Sequence, residues 1–516
     1  MKPIRALGLC GVSLLSLVPM QGCTDLTETP ASAITPENFY RNEAEVLGGL
    51  ASVYAMLRND GVLWGYYNIS EISTDEMIVP TRGQDWFDNG RWLEIHRQAW
   101  TATSPAGLED AGRVWNDSYR GVARANVLLD ALQRVTVANQ AVIVAELRTL
   151  RAYYYYLLLD MFGGVPIATD IEIKARPRPT RAELFDFIEA ELKDTRTVLP
   201  LTRSAGDYGR LTKGAADAIL ANMYVNAQVF TGTVTTGGLT PGAARWQDAI
   251  NFCDSILNSG VYSLSTLGNW RNNFTHDNQS SPENIFVANF ISQNDQGLNF
   301  VMRALHYNQF TPSPWNGFST LAETYRAFDA NDQRRQIFLV GPQVNLETGA
   351  PTTDRGGQPL VFTDTIGDAT SARENEGARI LKYPPDPAHV AQNNGNDFAF
   401  FRLGEIYLIK AEAQFELGNS AGALVLLNQL RARVFTVPQP LAAVDRDVIL
   451  QERLFELTGE GKRRQDRIRH GSYLNQWSTT MLNGKVDKNS EPYRILLPIP
   501  QPQLDANPLL VQNPGY

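Results

Sequence analysis

The stretch that most restricts the fold is residues 400–434, FFRLGEIYLIKAEAQFELGNSAGALVLLNQLRARV. Ile406, Ile409 and Ala413 mark one face of a first helix, with Tyr407 and Phe415 beside it. Gly418 can take the left-handed conformation that stops a helix, and Asn419 or Ser420 can accept the free N–H groups that open the next one. Ala423, Leu426, Leu427 and Leu430 then recur at i, i+3, i+4 and i+7, the spacing of one buried stripe. Two helices can approach closely only where side chains are small, so the alanines predict a tight helical hairpin. One hairpin cannot bury both of its faces, and further helices must stack on it.

This alanine-rich pattern, A-x-A followed by L-G, is that of a tetratricopeptide-like hairpin. The expected class is therefore mainly all-α, a hairpin scaffold, and 516 residues are enough for such a scaffold with inserted lobes. The formal charge of −9 gives little support to a surface that tracks phosphates, so nucleic acid is not an expected partner.

Residues 1–22 read as a secretory signal peptide. Lys2 and Arg5 precede an apolar run from Ala6 to Met20, too short for a spanning helix, which ends at Gly22-Cys23. Residues 23–34 follow as a polar tether, and 35–516 are expected to form a single domain. With Cys10 in the leader and Cys23 at the junction, Cys253 is left alone, so no disulfide framework is expected.

Along the chain, Thr35-Pro36 reads as the start of a first helix whose apolar face is Val46, Leu47, Leu50, Val53, Tyr54 and Leu57. From Gly61 to Trp100 the periodicity breaks down, which predicts a long loop rich in aromatics. Trp115 to Leu132 and Ala141 to Phe162 return to helical spacing, the second stopping at Gly163-Gly164. Thr180 and Glu183 form a capping box, and Leu211 to Phe230 and Arg245 to Asn258 read as a further helix pair. About residues 262–398 the signal weakens into an irregular insertion carried by the helices. Val448 to His470 reads as a charge-laced helix with a solvated face, Glu452, Glu456 and Glu460 alternating with Arg453, Arg463 and Arg464. The proline-rich C-terminus is expected to strap over the helices.

The leader, ENFYRNEAE, STDE at 73–76, RTLRAYYYYLLLDMFGGVPI, GRLTKGAADAILANMY, the central hairpin, ERLFELTGEGKRRQDRIRHG, LLPIP and QNPGY follow one another in the order seen in the SusD/RagB family. The chain resembles that family along nearly its whole length. The resemblance implies an outer-membrane, cell-surface lipoprotein lipidated at Cys23, with a SusD-like helical scaffold. It also implies capture of oligosaccharides, sometimes peptides, for a SusC-like TonB-dependent transporter.

The residues themselves offer little chemistry of catalysis. None of the five histidines has H-E-x-x-H spacing, and there is neither a G-x-S-x-G nor a phosphate-cradling loop, so no enzyme, cofactor or metal is expected. Asp75-Glu76 is the one adjacent acidic pair of interest, and it reads more simply as a loop hydrogen-bonding group. Binding is better supported, because a sugar offers apolar C–H faces and a rim of hydroxyls that suit a flat ring with polar groups at its edge. Two stretches carry that mixture. The first holds Asp75, Arg82, Trp86, Asp88, Asn89 and Trp92; the second holds Trp270, Asn272, Asn273, Tyr307, Phe310, Trp315 and Asn316. Trp92, Trp100 and Trp115 lead into helices and read as core, Trp86 and Trp315 stand equally between core and platform, and Tyr153 to Tyr156 read as packing. Three classes remain open: a glycan-capturing lipoprotein, a peptide-binding or scaffold lipoprotein of the same fold, and a glycoside hydrolase.

Overall fold

The computed structural model describes residues 39–59, 61–476, 488–489 and 491–516. Residues 1–38, with the leader, Cys23, the tether and the Thr35-Pro36 cap, lie outside them.

The scaffold is a stack of helices. α1 (Glu43–Ala55) is opened by Asn42, whose side chain accepts from the Glu45 amide at 3.0 Å, and it buries Val46, Leu50 and Val53. It packs on α2 (Gly112–Ala131), α2 packs on α3 (Gln140–Phe162), and α3 on α4 (Arg181–Thr195). α5 (Lys213–Val225) then packs on α6 (Trp246–Leu257), and α6 on α7 (Leu403–Glu416), which closes the hairpin with α8 (Ser420–Ala432).

α3 is the axis of this stack. From Leu157 to Phe162 every side chain is buried, the signature of a helix enclosed on all sides. Tyr153, Tyr154, Tyr155 and Tyr156 are packing residues: the Tyr154 hydroxyl donates to the Val53 carbonyl at 2.7 Å, and that of Tyr156 to Asn222 at 2.8 Å. The capping box at Thr180 is formed as its spacing implies. In the α7–α8 hairpin Gly418 sits at φ +85°, where a side chain would be strained, and the Asn419 side chain accepts from the Gly422 amide at 3.0 Å. Ala411 and Ala423 are fully buried in the cluster between the two helices, and Ala413 is fully buried against the main core.

The insertion is tied at its base. Strand β1 (Asn284–Ala288) pairs antiparallel with β2 (Phe398–Arg402), so the chain leaves and re-enters the scaffold at one place. Between them, two-residue ladders and small apolar clusters, one around Val301, Met302, Leu305 and Phe310, hold the loops.

Two expectations are corrected here. Residues 61–100 are not one long loop: Gly61–Tyr66, Tyr67–Ile72 and Arg91–His96 are helical turns. Their periodicity is invisible because Tyr67 to Ile72 are buried all round, polar residues included. The second correction is larger. Val448 to His470 forms two helices, α9 (Arg446–Leu457) and α10 (Arg463–Arg469), in which Glu452, Arg453, Glu456, Arg463, Arg464 and Asp466 are buried. Glu456 is 0 % exposed, and Arg402 and Arg433 each approach it to 2.5 Å. Arg402 also holds Glu460 at 2.6 Å and Glu283 at 3.3 Å, and Arg334 bridges Asp332 and Glu452. Arg453 pairs with Asp466 at 2.8 Å and Arg464 with Asp160 at 2.9 Å. The partners come from distant segments, so the local alternation of charge resembles a solvated face while the fold uses it as a buried lattice.

The C-terminus is a strap. The Leu497 amide donates to the Met161 carbonyl at 2.8 Å, the Asn513 amide side chain to the Phe162 carbonyl at 3.0 Å, and Tyr516 receives the Trp100 indole N–H at 2.8 Å.

Candidate ligand-binding site

Two loops, one of them from the insertion, meet at one surface. One runs from Arg82 to Trp92, the other from His306 to Phe318. Where they meet, the Trp86 and Trp315 rings lie 6.5 Å apart at 50°, and Trp64 stacks on Trp315 at 6.1 Å and 26°. All three indoles are half-buried, and Phe87 beside them is 56 % exposed. The Trp86 N–H donates to the Trp315 carbonyl at 2.5 Å, which joins the loops directly.

The backbone here is held in conformations that side chains avoid. Trp86 sits at φ +62°, Asp88 at +38°, Asn89 at +56° and Asn316 at +52°. A bulky residue at positive φ is a genuine outlier, costs of order 1–3 kcal/mol, and persists only where surroundings over-determine it. Those surroundings are visible. Trp86 packs edge-on against Trp92 and Phe318, and Gly317 lies so close that a Cβ there would stand 2.3 Å from the Trp86 ring. Beneath, the buried Arg82 guanidinium donates to the Glu376 carbonyl at 2.8 Å and to Ser319 at 3.1 Å. Arg379 donates to Asn316 Oδ1 and to the Glu374 carbonyl, both at 2.8 Å. The two arginines fasten both loops to segment 374–377.

A polar rim follows. The Tyr307 hydroxyl donates to Asp85 at 2.5 Å, and the Arg355 guanidinium lies 4.1 Å above the Tyr307 ring while pairing with Glu374 and, at 3.4 Å, with Asp85. Burial, reinforced by Asp85, pushes the Tyr307 phenol up to about 12, so it remains a donor across physiological pH. His306 meets Glu374 at 3.0 Å, and burial lowers its pKa despite that carboxylate. Asp88 and Asn89 are exposed at the edge of the indoles. The set provides flat apolar faces with hydroxyl, carboxylate and guanidinium groups beside them.

Several residues expected at a ligand surface take other roles. Trp270 is 2 % exposed in the charge lattice, its indole N–H donating to Glu456 at 3.0 Å, and Asn273 is buried beside it. That places the start of the second stretch away from Tyr307 and Trp315. Trp92 is buried under Trp86, donating to Asp88 at 2.6 Å, as its helix-entry position suggests. Arg82 and Asn316 are buried fasteners, and Phe310 is core, packed on His389. Asp75 binds Arg463 at 2.7 Å and Arg467 at 3.0 Å. Burial raises its pKa, but the two guanidiniums more than offset this and hold it well below the usual carboxylate range. Glu76 accepts from the Gly459 amide at 3.0 Å and is hydrogen-bonded to the buried Glu71 carboxyl, which burial and Glu76 push well upward. Both acids of the pair are engaged by groups of the scaffold itself. Among the described residues no group of three or more His, Cys, Asp or Glu is arranged to hold a metal ion.

Trp64, Asp85, Arg355 and Glu374 are the residues sequence reasoning missed. Asp85 adjoins Trp86 and could have been included with it. Trp64 sits in a helical turn, and Arg355 and Glu374 carry no local pattern; only the fold brings them in.

Residues 270–516 match the sequence model of the SusD family, and residues 61–225 match that of a family described as starch-binding and associating with the outer membrane. The chain belongs to the SusD/RagB family. Its SusD relatives align end to end: a SusD-like protein of Formosa agariphila is 25 % identical over 95 % of this chain and 96 % of its own. The starch-binding protein SusD of Bacteroides thetaiotaomicron is 25 % identical over 87 % and 85 %. The surface glycan-binding protein A of Bacteroides thetaiotaomicron, solved in complex with laminarihexaose, superimposes with a TM-score of 0.72 at 20 % identity, covering 92 % of this chain and 99 % of that one. The fold is the mainly α, tetratricopeptide-like SusD fold.

Proposed function

We propose that this SusD-family chain captures oligosaccharides on the Trp64, Trp86 and Trp315 surface without cleaving them. The observation that carries the reading is the convergence of three half-buried indoles, Trp86 and Trp315 on two loops with residues at positive φ and Trp64 from a neighbouring helical turn, with Tyr307, Asp85, Arg355, Asp88 and Asn89 around them. Rings stack on the C–H faces of a sugar, and the rim meets its hydroxyls. The rim acids Asp85 and Glu374 are both tied up in ion pairs with Arg355, which favours binding over hydrolysis by a pair of free carboxyl groups. The relatives named for starch and for laminarihexaose point to glucans as the first ligands to try.

The same reading puts the protein at the outer-membrane surface. Cys23 carries the lipid anchor, the polar residues 23–34 are the tether, residues 35–516 form one SusD-like domain, and a SusC-like TonB-dependent transporter receives the glycan. The test is a glycan array on the chain lacking residues 1–23, followed by calorimetry and a reducing-end assay with laminarihexaose and soluble starch. The expected result is saturable binding of at least one glycan with no new reducing ends. Release of reducing ends, or an array on which no glycan binds, would overturn it.

A further inference from the structure

A second surface lies on the scaffold itself, away from the indoles. One side of α1 and the loop 207–210 enclose a groove of about 410 Å³, also lined by Asn289. Leu50 is its floor, Ala51 and Ala55 continue the apolar wall, and Leu47 stands 38 % exposed at the lip. An outward-facing apolar wall on a surface helix is what interaction sites offer.

The charges at the groove are unequal in how far they are satisfied. Asp207 is paired with Arg210 at 2.7 Å, and Glu146 below is held by Arg210 at 2.6 Å, by Arg203 at 2.8 Å and by the Tyr54 hydroxyl at 2.5 Å. Arg58, at the far end, makes one hydrogen bond among the described residues, a long one of 3.4 Å to the Asn289 carbonyl, and is attracted at longer range by the Asp397 carboxylate. Among the described residues no carboxylate lies within ion-pairing distance of it. A half-buried guanidinium with donors to spare, at the end of an apolar trough, is complementary to a carboxylate attached to an apolar body. The groove is open, so a small ligand would leave much of its surface in water, whereas specific small-molecule sites enclose most of theirs. A segment of another protein would cover Leu47 and Ala51 while bringing its acid to Arg58, and arginine is among the residues that dominate such interfaces.

We propose that the α1 groove is a docking surface for a protein segment carrying an Asp or Glu beside an apolar side chain, with Arg58 as its charged anchor. The inference does not depend on the glycan reading. The test replaces Leu47 with photoreactive p-benzoylphenylalanine in the full chain, in cells, with the same replacement at exposed Val437 as background. The cross-linked peptide is then identified by mass spectrometry. The expected product is one partner peptide with an acidic residue within a few positions of the link. Its yield should fall at least tenfold with Arg58→Glu and recover when the partner's acid is changed to Arg. If Arg58→Glu lowers the melting temperature, Arg58→Gln serves instead, with a loss of at least fivefold expected. A link to lipid, to a second copy of this chain or to a peptide without an acid, no link above background, or a yield indifferent to Arg58 would overturn the proposal. Calorimetry on the Arg58 variants keeps the two readings apart: glycan affinity should be unchanged whichever way the cross-link falls.

Discussion

Single residues here show how far polarity patterns can mislead. His96 is buried, with its Nδ1 3.0 Å from the Ile72 carbonyl, and it braces the segment that leads to Asp75. Burial holds its imidazole down at about 4, against 6.5 for an unperturbed one, outweighing the hydrogen bond to Ile72. Between those values the unfolded chain binds a proton that the folded chain does not. The contribution of His96 is therefore complete above about pH 6.5 and is lost as pH falls toward about 4. His96→Asn, which retains a donor for Ile72, should flatten the loss of melting temperature between about pH 7 and about pH 5 relative to the parent. Equal pH slopes would show that His96 is solvated. No local pattern marks this residue's role, whereas Trp86 and Trp315 stand out among Gly, Pro, Asp and Asn. What the sequence could not show is that Trp86 is partly wedged against Trp92 and Phe318. Trp86→Ala should accordingly lower both glycan affinity and melting temperature, unlike a purely exposed platform.

Whole elements were legible where their chemistry is local. The α7–α8 hairpin could be read because its stop, its cap and its alanines all act within one turn of their own positions. Ala413→Trp there should overfill the helix contact and cost about 1–3 kcal/mol or more of stability, measured by thermal melt; an unchanged melt would place Ala413 on the surface. The burial of α9 is not legible in its local pattern, because it depends on pairing of Glu452 and Glu456 with Arg334, Arg402 and Arg433, which no spacing rule connects to them. Ion pairs removed from water are strongly destabilising when one partner is lost, by about 3–5 kcal/mol. Glu456→Gln leaves Arg402 and Arg433 facing a neutral amide and should fall in that range by chemical denaturation, whereas a solvated glutamate would change stability by less than about 0.5 kcal/mol. The insertion was recognised as loop-rich but not in its arrangement, since the β1–β2 pairing that closes it joins residues more than a hundred positions apart.

At the scale of the molecule, the scaffold, the strap and the indole surface are parts of one chain whose family is SusD/RagB. The proposed anchor predicts that Cys23→Ser releases the protein from the membrane fraction or blocks its processing, since stable anchoring requires multiple acyl chains; retention with normal processing would remove the lipoprotein reading. The central claim is that the clustered indoles of Trp64, Trp86 and Trp315, and not the Trp270 indole in the charge lattice, hold the ligand. Trp315 and Trp270 belong to the same aromatic stretch of the sequence and lie in opposite settings in the fold, one half-buried between the two loops, the other 2 % exposed against Glu456. The decisive measurement is calorimetry with the array-selected glycan beside a thermal melt for Trp315→Ala and Trp270→Ala. Trp315→Ala should weaken binding by about 1–3 kcal/mol with a small change in melting temperature. Trp270→Ala should cost about 3–5 kcal/mol of stability and leave the affinity of the folded fraction unchanged. Unaltered affinity in Trp315→Ala, or loss of affinity confined to Trp270→Ala, would contradict the account.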